Sequence, residues 1–239
     1  MEAAFITKRG DNMREYSVFD ILGPIMIGPS SSHTAGAARL GKVARTIADG
    51  KISAVEFYLH GSFAKTYKGH GTDKALVAGI LGMNPWDENL RNSMSIAKEK
   101  GIDIKFIETD LGNVHPNTVK FVITKEDGNK TELVGSSIGG GNIVINEING
   151  NKVEFTGNYP TIVIRHYDMP GMIKKVCDVL YKNDINIAFM RVYRTSGKGS
   201  NAFMVLEVDN VVPENLIQCI NEIPHIKDAI AINPVKEEE

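Results

Sequence analysis

Apolar and polar positions change period several times along this chain, and the changes predict its elements. Ala35, Ala37, Ala38, Leu40, Val43, Ala44 and Ile47 form an apolar, helix-favouring run. Val55, Phe57 and Leu59 then alternate with Glu56, Tyr58 and His60, the period of a half-buried strand. A helical pattern follows Thr72-Asp73 and ends near Gly82. Asn84-Pro85 breaks the chain, and a more polar helix is predicted over residues 87–100. Residues 103–108 are a strand candidate. Residues 118–124 and 131–136, around Glu126-Asp127-Gly128-Asn129, predict a hairpin; residues 143–148 and 152–156, around Asn149-Gly150, predict another.

The turn-rich Gly157-Asn158-Tyr159-Pro160 divides the chain. Beyond it come a strand over 161–166, a helix stripe of Ile173, Val176, Cys177, Leu180 and Tyr181, and strands over 187–194 and 202–208. A second helix runs from Pro213 to about Ile223, and a last strand covers 229–232. That order, β-α-β-β-α-β, is the ferredoxin-like plan. Pro170 and Pro213 fit the first position of a helix. The expectation is a mixed α+β protein with domains at 1–157 and 158–239.

Composition narrows the class. The chain has 239 residues, 42% hydrophobic and 23% charged, with a formal net charge of −2. The near-neutral balance leaves no footprint for nucleic acid or a membrane surface. No apolar run approaches the roughly 20 residues that span a bilayer. The N-terminal MEAAFITKRGDNMREYS lacks the apolar stretch of a secretory signal, so a cytoplasmic protein is expected, with a solvated tail over 236–239. Cys177 and Cys219 both sit in helical patterns and read as small buried hydrophobes. Neither a disulfide framework nor a Cys-x-x-Cys knuckle is present. An iron–sulfur cluster needs three or four thiolates, so this chain alone cannot hold one.

Candidate chemistry lies at element ends. Ile27-Gly28-Pro29-Ser30-Ser31-Ser32-His33-Thr34-Ala35-Gly36 puts three serines, a histidine and a threonine at a predicted helix start. Unpaired N–H groups and a partial positive charge suit such a start to a carboxylate or phosphate; simple capping is the plainer reading. Lys68-Gly69-His70-Gly71-Thr72-Asp73 opens the next predicted helix, and its glycines leave the His70 imidazole accessible. Thr72 and Asp73 serve equally as caps. His115-Pro116-Asn117-Thr118 precedes a strand, where a lone histidine is ordinarily a solvated surface group. Gly139, Gly140 and Gly141 stand between two strands, either as a flexible connection or as a nest of N–H groups around an anion. The common form, polar residues with glycine, points to one surface lined by several loops. In the C-terminal part, residues 166–172 bring Asp168 and free N–H groups to a helix start, and Asn186 begins the next strand. Such a junction suits an amino acid, with Asp168 facing its ammonium. The competing reading is a domain used for assembly through an exposed sheet edge.

Ser17-Val18-Phe19-Asp20-Ile21-Leu22-Gly23-Pro24, followed by IGPSSSHTAGAARLG, resembles the β subunit of iron–sulfur-dependent bacterial L-serine dehydratases. KGHGTD (68–73), HPNT (115–118) and SIGGGNI (137–143) match that family's other signature loops in order. The C-terminal part is similar to an ACT domain. The resemblance implies an allosteric-substrate-binding-type first domain, a type also found in some phosphoglycerate dehydrogenases. It further implies α,β-elimination from L-serine to aminoacrylate, then pyruvate and ammonia. An α subunit would supply the cysteines of a [4Fe-4S] cluster, whose Lewis-acidic iron would carry off the hydroxyl, and this chain would hold no metal.

On the same resemblance, Ser30, Ser31, Ser32, Thr34, Asp73, Asn117, Gly139, Gly140 and Gly141 bind substrate. His33, His70 and His115 polarise it or handle protons, although the base can equally come from the α subunit. Asp168, Pro170, Gly171, Met172 and Asn186 would meet an ACT ligand, and ACT domains would mediate self-association. Two other readings stand beside this one. The chain is a non-catalytic, amino-acid-binding regulatory subunit, or it is a self-sufficient hydrolase holding zinc with the three histidines, whose spacing fits no local metal motif.

Overall fold

The computed structural model describes residues 26–195 and 199–234. The segment 17–24, the N-terminal start, the 236–239 tail and part of the turn after Thr195 lie outside the described residues. A π-helical turn, Ser31–Gly36, leads into α1 (Ala37–Ala48). Then follow β1 (Ile52–Leu59), α2 (Gly61–His70) and α3 (Thr72–Ile80). A 3-10 turn (Glu88–Asn92) leads into α4 (Ser93–Glu99), followed by β2 (Asp103–Glu108). Two hairpins come next, β3 (Thr118–Lys125) with β4 (Lys130–Gly139) and β5 (Asn142–Ile148) with β6 (Asn151–Phe155). These strands form a six-stranded sheet in the order β2-β1-β3-β4-β5-β6, in which only β1 and β2 run parallel.

Beyond residue 160 stand β7 (Thr161–Tyr167), α5 (Met172–Lys182), β8 (Ile187–Arg194), β9 (Asn201–Val208), α6 (Glu214–Asn221) and β10 (Ile226–Ile232). Their four strands form a second sheet ordered β10-β7-β9-β8, the ferredoxin-like arrangement expected of the sequence.

The two sheets are buried differently. The first keeps one polar face, where Tyr58 and Lys105 meet Glu56 and Lys120 meets Glu132. Its other face buries Phe57, Phe121, Leu133, Ile145 and Phe155 beneath the helices. Alternation is therefore clear in its strands. The second sheet is buried on both faces along β7 and β9, while β8 is largely exposed. Ile162, Ile164, Met204 and Leu206 pack with Val176 and Leu180 of α5 and Leu216 and Ile220 of α6. Val163, Phe203, Val205 and Ile232 join the first domain's core. Each such side chain contributes about 1.5–3 kcal/mol when fully buried, so the two halves share part of their stability.

Two glycines fix how α1 lies. A Cβ on Gly41 would stand 2.4 Å from the Leu76 carbonyl oxygen, and one on Gly79 would stand 2.2 Å from that of Ala38. α1 and α3 therefore touch backbone to backbone, and this seats the Ser30–Gly36 turn against the sheet.

Three expectations are corrected. Residues 61–70 are a helix, which the sequence pattern did not reveal because only Phe63 on it is fully buried. Cys219 is exposed and Cys177 half-buried. On α6 the buried stripe is Leu216 and Ile220, and Cys219 falls outside it. Pro213 is the cap of α6, with ψ of 152°, and Pro170 lies outside α5, whose cap is Gly171. Extended backbone is the usual state of the residue that caps a helix start, so Pro213 stands one position before the first helical residue.

Candidate functional site

The site forms where the Ser31–Gly36 turn, the α2–α3 junction and the β4 end meet. Ser30 caps the turn with extended backbone, and its hydroxyl accepts the His33 N–H at 3.2 Å. The same Oγ lies 3.3 Å from His33 Nδ1. On the other side of the ring, Nε2 lies 3.1 Å from Thr66 Oγ1 and 3.3 Å from Ser62 Oγ. Thr66 Oγ1 already donates to the Ser62 carbonyl at 2.8 Å, so toward His33 it accepts. This assigns the proton to Nε2 and leaves Nδ1 to accept from Ser30. Burial, and secondarily the nearby His70, hold the His33 pKa below its ordinary value of 6.5. His33 is thus neutral near pH 7, with both nitrogens engaged.

His70 sits above it, ring centroids 4.8 Å apart, and is exposed. His70 does not open a helix: it ends α2, and Gly71 follows in the left-handed region at φ 71°. The adjoining helices α2 and α3 thus share that glycine as a hinge, which non-glycine residues adopt only with strain. Ser62 and Thr66 escaped the sequence reading because their helix did; a serine and a threonine four apart, just before the Lys68–Asp73 motif, are the signal that was available.

Among the described residues, beside His166 Nε2 and Asp168 Oδ2 of the second domain, four buried oxygens have no hydrogen-bond partner: Thr34 Oγ1, Thr72 Oγ1, Asn117 Oδ1 and Ser137 Oγ. Each comes from a different one of the four motifs singled out in the sequence. Their neighbours are tightly held. A Cβ on Gly28 would come within 2.3 Å of Thr34 Oγ1, and one on Gly36 within 2.1 Å of Ser137 Oγ. The Asn117 carbonyl accepts the Ser137 N–H at 2.9 Å, which ties the 115–118 loop to the β4 end. Thr118 and Ser136 join by their hydroxyls at 2.7 Å. Buried polar groups are ordinarily paired, and an unpaired one costs about 1–3 kcal/mol.

The other sequence candidates are placed as follows. Ser31 and Ser32 are half-buried in the turn. Asp73 Oδ1 accepts the Lys74 N–H at 2.8 Å. His115 is exposed, and its Nδ1 accepts the Asn117 N–H at 3.1 Å. Gly139, Gly140 and Gly141 all have positive φ, at 109°, 60° and 80°. They make the tight β4–β5 turn, where glycine is required. Arg39 of α1 donates to the Gly141 carbonyl at 3.1 Å. Among the described residues no group of three or more His, Cys, Asp and Glu can hold a metal ion.

In the second domain, Asp168 lies 2.6 Å from Arg194 Nε. Its Oδ2 lacks an aligned hydrogen bond, so the contact is ionic. Gly171 caps α5 with φ 89°, and Met172 is buried. Asn186 is not near this junction. β7 and β8 run in the same direction on either side of β9, so the start of β8 lies at the opposite end of the sheet. There Asn186 donates to Asp209 at 2.6 Å.

Residues 17–100 match the family model described as serine dehydratase beta chain, and residues 161–225 match that of the ACT domain. A probable L-serine dehydratase beta chain of Bacillus subtilis is 46% identical over 214 residues, 90% of this chain and 96% of that one. The chain belongs to the L-serine dehydratase beta-chain family. The L-serine dehydratase beta chain of Peptoniphilus asaccharolyticus is 44% identical over 87% of this chain and 94% of its own. A D-3-phosphoglycerate dehydrogenase of Methanocaldococcus jannaschii is 33% identical over 82% of this chain but only 37% of its own length. Among the described residues no helix is long and apolar enough to cross a membrane.

Proposed function

We propose that this chain is the β subunit of a two-chain L-serine dehydratase, which deaminates L-serine to pyruvate and ammonia. The observation that carries this reading is the convergence of four motifs, each bringing one buried oxygen without a partner. A small zwitterion with a carboxylate, an ammonium and a hydroxyl supplies the missing partners. Thr34, Asn117 and Ser137 would hold it, with Ser31 and Ser32 at the turn. His33 orients: its two nitrogens are already bound. His70, exposed above it, is the group free to take or return a proton. His115 keeps one free nitrogen and would face the substrate from the rim.

This chain does not fit the [4Fe-4S] cluster that the resemblance implies. Its two cysteines are unpaired and lie on α5 and α6, in the other domain from the site. Any such cluster would be carried by an α subunit, and activity would require that partner. Reconstitution with the α subunit tests the reading. The isolated chain should release no pyruvate from L-serine, and the pair should. A Ser31→Ala pair should lose roughly ten- to a hundredfold in kcat/KM, the value of a hydrogen bond to a charged group. Pyruvate release by the chain alone, or unchanged kinetics of the variant, refutes it.

The ACT domain supports an assembly role. β8 is an edge strand with Phe189, Met190 and Val192 exposed, and an apolar unpaired edge invites pairing with a second copy. Val192→Glu should shift sedimentation of the pair to a smaller species; an unchanged profile removes this role.

A further inference from the structure

The His33 ring is held from several sides. Phe63 of α2, itself fully buried, meets it at a centroid distance of 5.2 Å with the rings inclined by 68°. Ser30 Oγ stands against Nδ1, and Ser62 Oγ and Thr66 Oγ1 stand against Nε2. Of the described groups that face the ring, His70 is the one that titrates, 4.8 Å away between centroids. The helix that brings Ser62 and Thr66 is itself anchored. The Ser62 N–H donates to the Pro116 carbonyl at 2.8 Å, and a Cβ on Gly61 would stand 2.6 Å from the same oxygen. α2 is thus seated on the loop that carries His115 and Asn117.

The two hydroxyls at Nε2 are not equivalent. Ser62 Oγ can turn its proton toward the ring or away from it, and so selects no tautomer. Thr66 has its proton spent, because Oγ1 donates to the Ser62 carbonyl one helical turn back at 2.8 Å. That bond also fixes the rotamer of a helical threonine. Thr66 therefore presents only lone pairs to the ring. We propose that Thr66 is a positioning residue of this site: its hydroxyl holds His33 in the neutral form protonated at Nε2. This rests on the reading above, in which His33 orients and His70 moves the proton. The opposite tautomer would set the Nε2 lone pair against those of Thr66 Oγ1 at 3.1 Å. The bond at one ring nitrogen commits the other. Nδ1 is left to accept, and Ser30 Oγ, which already takes the His33 N–H, gives its single proton to it. Ser30 then has no donor left for a substrate, and that role passes to Ser31 and Ser32. A second proton on His33 would break the Ser30 bond, so proton traffic between the two imidazoles is confined to His70. Burial acts on His33 in the same direction.

Nitrogen NMR of the labelled imidazoles reads the tautomer on the full isolated chain, so its outcome is separate from that of the dehydratase reading. At about pH 7.5, His33 is expected as one neutral tautomer, protonated at Nε2. Thr66→Val, which keeps the branched shape and removes the hydroxyl, should move the tautomer ratio roughly fivefold or more toward Nδ1, the worth of one hydrogen bond. Thr66→Ser, which keeps the hydroxyl, should restore it, and Ser62→Ala should change it by less than about twofold. In the reconstituted pair, Thr66→Val should lower kcat about five- to tenfold with KM within about twofold, and Thr66→Ser should recover most of kcat. Wild-type His33 protonated at Nδ1, or present as a mixture, overturns the proposal without any variant. So does a Thr66→Val chain with the wild-type tautomer, a shift produced by Ser62→Ala instead, or a kcat loss that Thr66→Ser does not recover.

Discussion

The signature loops of the first domain and the β7–α5 junction of the ACT domain share one sequence pattern: polar residues, glycine, then a helix. In three dimensions they differ. The loops leave Thr34, Thr72, Asn117 and Ser137 with buried oxygens unpartnered. The junction has already answered its own acid, with Arg194 2.6 Å from Asp168, and its other candidate, Asn186, is spent on Asp209 at the far end of the sheet. The loops hold four buried oxygens without a protein partner, at a cost in stability, whereas the junction's acid is held ionically by Arg194 and its His166 Nε2 is the nitrogen left without one. Sites for chemistry commonly carry such local cost.

The comparison breaks first, and by the largest effect, in the reconstituted pair. His70→Ala should lower kcat about 10²- to 10⁴-fold, the usual value of a positioned acid or base. Asp168→Asn should leave kcat within about twofold. A large loss in the Asp168 variant, or none in the His70 variant, reverses the contrast. Next in size are the unpartnered hydroxyls. Ser137→Ala and Thr34→Val should each cost roughly tenfold in kcat/KM while raising the isolated chain's stability by about 1 kcal/mol, because an unpaired buried hydroxyl is removed. Loss of both activity and stability would mean that these oxygens are structural.

A third test uses acid. His33 has a folded pKa below its ordinary value of 6.5, so between the two the unfolded chain binds more protons. Stability therefore falls as pH drops through about 6.5 and levels off once the folded pKa is passed. Urea midpoints taken from about pH 7.5 to pH 5 should show that fall, and His33→Gln should flatten part of it. The smallest expected effect concerns the β7–α5 junction. Its ion pair is partly exposed, so Arg194→Gln should cost no more than about 1 kcal/mol, read as a shift in thermal midpoint. A larger shift would make the junction a structural clamp.

Much of this was legible in the chain. The ferredoxin-like order of residues 161–232 follows from alternation and turn residues, and β8 matches its predicted range of 187–194. Both hairpins were marked by Asp-Gly or Asn-Gly turns. The serine–histidine motif was visible as chemistry. α2 was not, because a helix seated at the edge of a site buries only Phe63 and keeps polar residues elsewhere, so no apolar stripe announces it. With α2 hidden, Ser62 and Thr66 were hidden too, and His70 was placed at a helix start instead of a helix end.

The sequence by itself determined the element periods, the turn-rich Gly157–Pro160 stretch and the four motifs of the proposed site, because each is a local matter of hydrophobic spacing or turn chemistry. Tertiary structure alone decided which motifs leave an oxygen unpaired, which acid finds an arginine and where Arg39 reaches. Those outcomes depend on the close approach of α1 and α3 through Gly41 and Gly79 and on the parallel crossover that carries Asn186 to the far end of its sheet. Partners separated by tens of residues meet only once the backbone has folded, and no local period records which polar atom will be left without one.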